Sequence, residues 1–251
     1  MRRLLILLGI FAALLAGPLA SGAPTTSPLK TPASTKSFDP IESYVKQSME
    51  GWQLLVNKRL LAREQDALRE QTLKVLDDQL FRITRVVPAE ALAKLRKIPI
   101  WVELLHPLHP CMCYHVSADW LRQHGMNPQK AGAVELANAK NFLTWTHDQP
   151  WMVLHELAHG YHDQVLGFDN AEIQACYERA VASRSYESVL HVSGKRRRHY
   201  ALTNAREYFA EATEAYFGTN DFYPFVRAEL KQHDPAGYDL MEKVWGVDKA
   251  K

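Results

Sequence analysis

Apolar positions recur with two different periods along the chain, and the changes of period divide it into elements. In residues 51–57, Trp52, Leu54 and Val56 fall on alternate positions, the period-2 pattern of a strand. From 62 to 84 the spacing lengthens. Leu68, Leu73, Leu76, Leu80 and Ile83 form one stripe while Glu64, Arg69, Glu70, Lys74 and Asp78 face the other way, which predicts a helix whose stripe is core. Pro88 opens a second, short helix that ends before Pro99, and residues 100–104 read as another strand. Residues 117–124 predict a short helix closed by Gly125 and Asn127-Pro128. Residues 133–137 predict a third strand, whose exposed edge is suited to pair with an extended peptide. Beyond it the pattern is helical: 170–188, then a helix capped by Thr203 or Asn204, then a tail helix with Phe225, Leu230, Leu240 and Trp245. Strands early and helices late predict an α+β fold with a small sheet and a mainly helical C-terminal half.

Residues 151–163 form the helix on which the sheet is expected to pack, with Pro150 suited to its beginning, Gly160 inside it and Gly167 placed to end it. Leu154, Leu157 and Ala158 supply its apolar side, and His155-Glu156-Leu157-Ala158-His159 is an H-E-x-x-H sequence. At about 3.6 residues per turn, His155 and His159 project from one face and reach a single ion. Neutral imidazoles suit zinc, and Glu156 is placed to reach a water on that ion. Such a site needs a third protein ligand, usually with a fourth position left for water. In the helix after Asn204, Glu207, Glu211 and Glu214 share one face beside Tyr208, Ala212 and Ala215. Carboxylates next to an apolar stripe are costly to bury unless paired or metal-bound, so this face is either a solvated acidic surface or the source of the missing ligand.

The chain has 251 residues, 47% hydrophobic and 23% charged, which places it among globular proteins. Its net charge of +2 argues against a nucleic-acid partner. Arg2 and Arg3, an apolar run over 4–20 broken by Gly9, Gly17 and Pro18, and then Ser21-Gly22-Ala23 predict a signal peptide over residues 1–23. An uncleaved anchor is the second reading, although a spanning helix wants about 20 clean apolar residues. Residues 24–37, small, polar and proline-rich, predict a disordered linker, with the folded domain over 38–251. The protein is then expected to be secreted or periplasmic, without stable membrane insertion once the signal is removed. Three cysteines leave an odd count, so Cys176 pairing with Cys111 or Cys113 leaves the other thiol free. His106, His109 and His115 flank the Cys111/Cys113 pair. Residues 105–115 therefore read either as a second soft-metal site or, more simply given the His-Pro and Pro-Cys breaks, as an irregular loop. The basic run Lys195-Arg196-Arg197-Arg198 reads as a solvated loop, with attraction of an acidic substrate as the alternative.

The two blocks 151–163 and 200–217 together resemble the gluzincin zinc metallopeptidases. More specifically, Tyr200-x6-Glu207-Tyr-Phe-Ala-Glu-Ala resembles the catalytic domain of anthrax lethal factor and the related Pro-Pro endopeptidases. The resemblance implies a zincin-like domain holding one Zn2+ per chain through His155, His159 and Glu207, with Glu156 as general base and Tyr200 steadying the oxyanion. It implies for Glu211 a supporting contact to a histidine's other ring nitrogen; Glu211 is also the alternative third ligand. The chain departs from the metzincin signature, since His162 stands where that pattern has glycine and Val165 where it has its third histidine. His162 is accordingly expected at the surface or behind a ligand. The expected function is hydrolysis of a peptide or protein substrate. The alternatives are a secreted zinc-binding or interaction domain with little or no hydrolytic activity, and a helical structural domain with incidental histidines.

Overall fold

The structure, a computed structural model, describes residues 38–106 and 109–247; the signal-peptide and linker expectations, residues 1–23 and 24–37, lie outside these. It opens on a hairpin in which β1 (Tyr44–Met49) turns through Glu50 and Gly51, both at positive φ, into antiparallel β2 (Trp52–Asn57). Two helices, α1 (Asp66–Val86) and α2 (Ala89–Leu95), return the chain to β3 (Ile100–Val102), parallel to β2. Then come β4 (Met112–His115), α3 (Ala118–Gln123) with Ser117 as its cap, β5 (Ala133–Leu136), and α4 (Ala139–Trp145) capped by Asn138. The sheet runs in the order β1-β2-β3-β5-β4, parallel through its centre and antiparallel at both rims. The second half is helical. It begins with α5 (Met152–Tyr161), continued by a π-helical turn over His162–Leu166 and stopped by Gly167 at φ 80°. α6 (Ala171–Ser183) follows, then a short hairpin of β6 (Val189–Leu190) and β7 (Arg196–Arg197). A 3-10 turn, Tyr200–Thr203, leads into α7 (Ala205–Phe217), α8 (Arg227–His233) and α9 (Pro235–Trp245).

Strand alternation explains how the sheet is covered. Leu54 and Val56, Ile100 and Val102, and Val134 and Leu136 enter the main core with Leu76, Leu80 and Ile83 of α1 and Leu154 and Leu157 of α5. Residues of the opposite parity, Leu55, Trp101 and Ala133, join Tyr44 in a second, smaller cluster. Beside it lies a buried ionic knot: Lys130 Nζ donates to Glu103 Oε1 at 2.6 Å and Glu135 Oε1 at 2.5 Å, and Tyr44 donates to Glu103 at 2.6 Å.

Several expectations need correction. β1, β4 and α4 were not anticipated, and β4 replaces the irregular loop expected at its position. β5 is not an edge strand, because β3 and β4 occupy both its sides; the free edge there is that of β4. The helix expected over 170–188 stops at Ser183, where Arg184 adopts φ 58°. All three cysteines are free, which overturns a Cys176 pairing with Cys111 or Cys113. The chain packs them apart: Cys111 Sγ rests 3.4 Å from Met152 Sδ at the start of α5, while Cys176 lies between Arg179 and the Ala236 carbonyl of α9. Among the described residues no helix is long and apolar enough to cross a membrane.

Candidate active site

α5 is pressed against the sheet at one position. A Cβ on Gly160 would stand 2.6 Å from Ile98 Cδ1 and 3.1 Å from the Tyr114 ring of β4, so glycine inside this helix is explained by close approach. Val153, Leu154, Leu157 and Ala158 are buried on the side facing the core, which leaves His155, Glu156 and His159 partly open on the other. α7 lies along α5, its N-terminus fixed by Asn204, whose side chain accepts from the backbone N–H groups of Arg206 and Glu207.

The crossing of these helices brings three donor atoms to one point. His155 Nε2 and His159 Nε2 are 3.2 Å apart, and Glu207 Oε2 lies 3.2 Å from the first and 3.3 Å from the second. Zinc bonds to nitrogen and oxygen are about 2.0–2.2 Å long, and a tetrahedral ion holds such ligands about 3.3 Å apart. The triangle therefore has the dimensions of a zinc face, and its donor chemistry, two imidazoles and a carboxylate, fits that metal.

Behind His155 stand more acids. Glu214 Oε1 is 2.7 Å from His155 Nδ1, whereas Glu211 Oε1 is 3.7 Å away. The direct contact expected of Glu211 thus belongs to Glu214. A carboxylate there fixes Nδ1 as the protonated nitrogen and aims the Nε2 lone pair at an ion. Glu211 Oε2 instead accepts from Asn220 Nδ2 at 2.9 Å. Burial, then Glu214 and Asp221, raise the Glu211 pKa well above the ordinary carboxylate value. Burial disfavours a charged His155, yet hydrogen bonds to Glu207 and Glu214 outweigh it and raise its pKa. Glu207 is shifted down: burial opposes ionisation, and His159 and His155 overcome it. The pocket thus attracts positive charge between the two rings and Glu207. His155, Glu211 and Glu214 also bring three donors within 4.8 Å of one another, but with Glu211 held by Asn220 this group reads as the support of the ring.

Glu156, next to His155, is half-buried. Tyr200 sits in the turn leading to α7; burial and then Glu207 raise its pKa, and His155, Glu156 and Glu211 also act on it, so its hydroxyl keeps its proton. His162 is neither at the surface nor behind a ligand. It is buried with its ring 5.0 Å from those of both Phe168 and Phe209, and neither ring nitrogen has a hydrogen-bond partner among the described residues. Glu214, Asn220 and Asp221 were given no role from the sequence; the signal for Glu214 was its place on the acidic face of α7.

No protein-family model matches the chain, and no curated protein matches it. Among solved structures it is similar to the Pro-Pro endopeptidase PPEP-2 from Paenibacillus alvei, at 19% identity and a TM-score of 0.38, covering 70% of this chain and 90% of that one.

Proposed function

We propose that this chain is an exported zinc-dependent endopeptidase of the gluzincin type. The supporting observation is the triangle of His155 Nε2, His159 Nε2 and Glu207 Oε2, with sides of 3.2, 3.2 and 3.3 Å. Zinc bound there supplies Lewis acidity and makes water a nucleophile near neutral pH. Glu156 takes the proton that the attacking water gives up and later delivers it to the leaving amine. The Tyr200 hydroxyl donates to the carbonyl oxygen as charge develops on it, a contact whose loss typically costs about 100- to 1,000-fold in rate. The free edge of β4, which meets α5 through Tyr114 and Gly160, offers main-chain groups to an extended peptide. Export is supported by the basic, apolar and small-residue succession over 1–23.

The test compares the wild-type protein with Glu156→Gln, using zinc analysis and digestion of a diverse peptide mixture. Both should carry zinc that His155→Ala loses, and only the wild type should cut, with a chelator stopping it. Zinc in both and cleavage by neither would replace the peptidase reading with that of a zinc-binding domain.

A further inference from the structure

The peptidase chemistry leaves a second convergence of soft donors unused. His109, Cys113 and His115 each place one donor atom within 4.8 Å of the others. Cys113 Sγ lies 3.5 Å from the His115 ring at Nε2, and the rings of His109 and His115 have centroids 5.4 Å apart. His109 Nε2 is enclosed and has no hydrogen-bond partner among the described residues. A buried polar atom left so is costly, and it marks a place where something that binds nitrogen belongs. Glu135 on β5 meets the same His115 Nε2 at 2.6 Å and is itself held by Lys130 at 2.5 Å, which leaves Nδ1 as the ring nitrogen open to an ion while the carboxylate orients the ring through Nε2.

We propose that His109, Cys113 and His115 bind a second transition-metal ion of the zinc class, distinct from the one at His155, His159 and Glu207. One thiolate with two imidazoles selects zinc or cobalt over the oxygen-seeking calcium and magnesium. Two of the ligands stand on β4, the rim strand that packs on α5, and the third precedes it, so the ion ties His109 to that strand. Its role is structural, holding the rim in place beside the cleft. This site does not depend on the peptidase reading, since it shares no ligand with it.

The test is Co2+ titration of the metal-free full-length chain, followed by absorption. A sulfur-to-cobalt charge-transfer band should appear, because only this site contains a cysteine ligand, and two equivalents should bind in total. Cys113→Ser should remove the band and one equivalent. His109→Ala, a milder change at a half-buried residue, should weaken the band's Co2+ affinity about tenfold or more, and it carries the test if the serine variant does not fold. His155→Ala should keep the band while losing the other equivalent. A wild-type protein without the band at saturation, or a band whose affinity His109→Ala leaves unchanged, overturns the proposal.

Discussion

His155 meets a carboxylate at each ring nitrogen, and the two contacts have different consequences. Glu207 lies on the side where an ion would sit, 3.2 Å from Nε2, while Glu214 lies on the far side, 2.7 Å from Nδ1. Glu214→Gln should therefore weaken zinc binding about 10- to 100-fold, the usual effect of losing such a support. Glu207→Ala should weaken it further still. Glu211→Gln should leave it nearly unchanged, because that carboxyl stands 3.7 Å from His155 Nδ1 and is held by Asn220 instead. Chelator competition on the three variants checks the order, and a larger loss for Glu211→Gln than for Glu207→Ala would exchange their roles. His162 allows a test of a different kind. Burial, then His159 and Arg206, depress its pKa to about 4, below the roughly 6.5 of an unfolded histidine. Between these values the unfolded chain binds a proton that the folded chain refuses, so stability falls as pH drops from about 6.5 towards 4. His162→Phe should stabilise the fold by about 1–3 kcal/mol, the cost of an unsatisfied buried polar group. Denaturant titrations between pH 7 and 4 should also show a shallower acid limb than the wild type.

The elements differ in how plainly the sequence announces them, and the difference follows their position in the sheet. β2, β3 and β5 are interior strands, each parallel to a neighbour, and all three were legible, β2 from its alternating Trp52, Leu54 and Val56 and the other two from short, largely apolar runs. The rim strands were not. β1 exposes Val45 and Lys46 and carries Gln47 and Ser48, while β4 is Met-Cys-Tyr-His, and neither composition separates a strand from a loop. Among the helices, the H-E-x-x-H pair was legible because one turn of α5 dictates that His155 and His159 share a face. The choice between Glu211 and Glu214 was not legible. Four and seven residues after Glu207, they fall about 40° to one side and 20° to the other of its direction, and only the crossing with α5 decides which meets the ring. That crossing depends on how closely α5 seats on the sheet. Gly160→Ala would push a methyl group into Ile98 and Tyr114. It should cost about 1–3 kcal/mol, as overpacking usually does despite alanine's better helix propensity. Calorimetry should show a lower Tm; an unchanged or higher one would mean that the neighbours give way freely.

At the level of the whole molecule, the site is a product of docking between parts distant in the chain. His155 and Glu207 are 52 residues apart, and α5 and α7 are held together by α9. Trp245 stacks on Tyr161 at 4.3 Å, lies 5.8 Å from Phe209 and 5.4 Å from Phe217, and is itself buried. Every side chain of α7 from Tyr208 to Phe217 is buried in this arrangement. A ribosome that has made His155 and His159 has therefore not yet made the third side of their donor triangle. The acid that completes the set is still to come, and the indole wedge seating both helices emerges later again. The donor triangle can therefore close only after Trp245 has been synthesised.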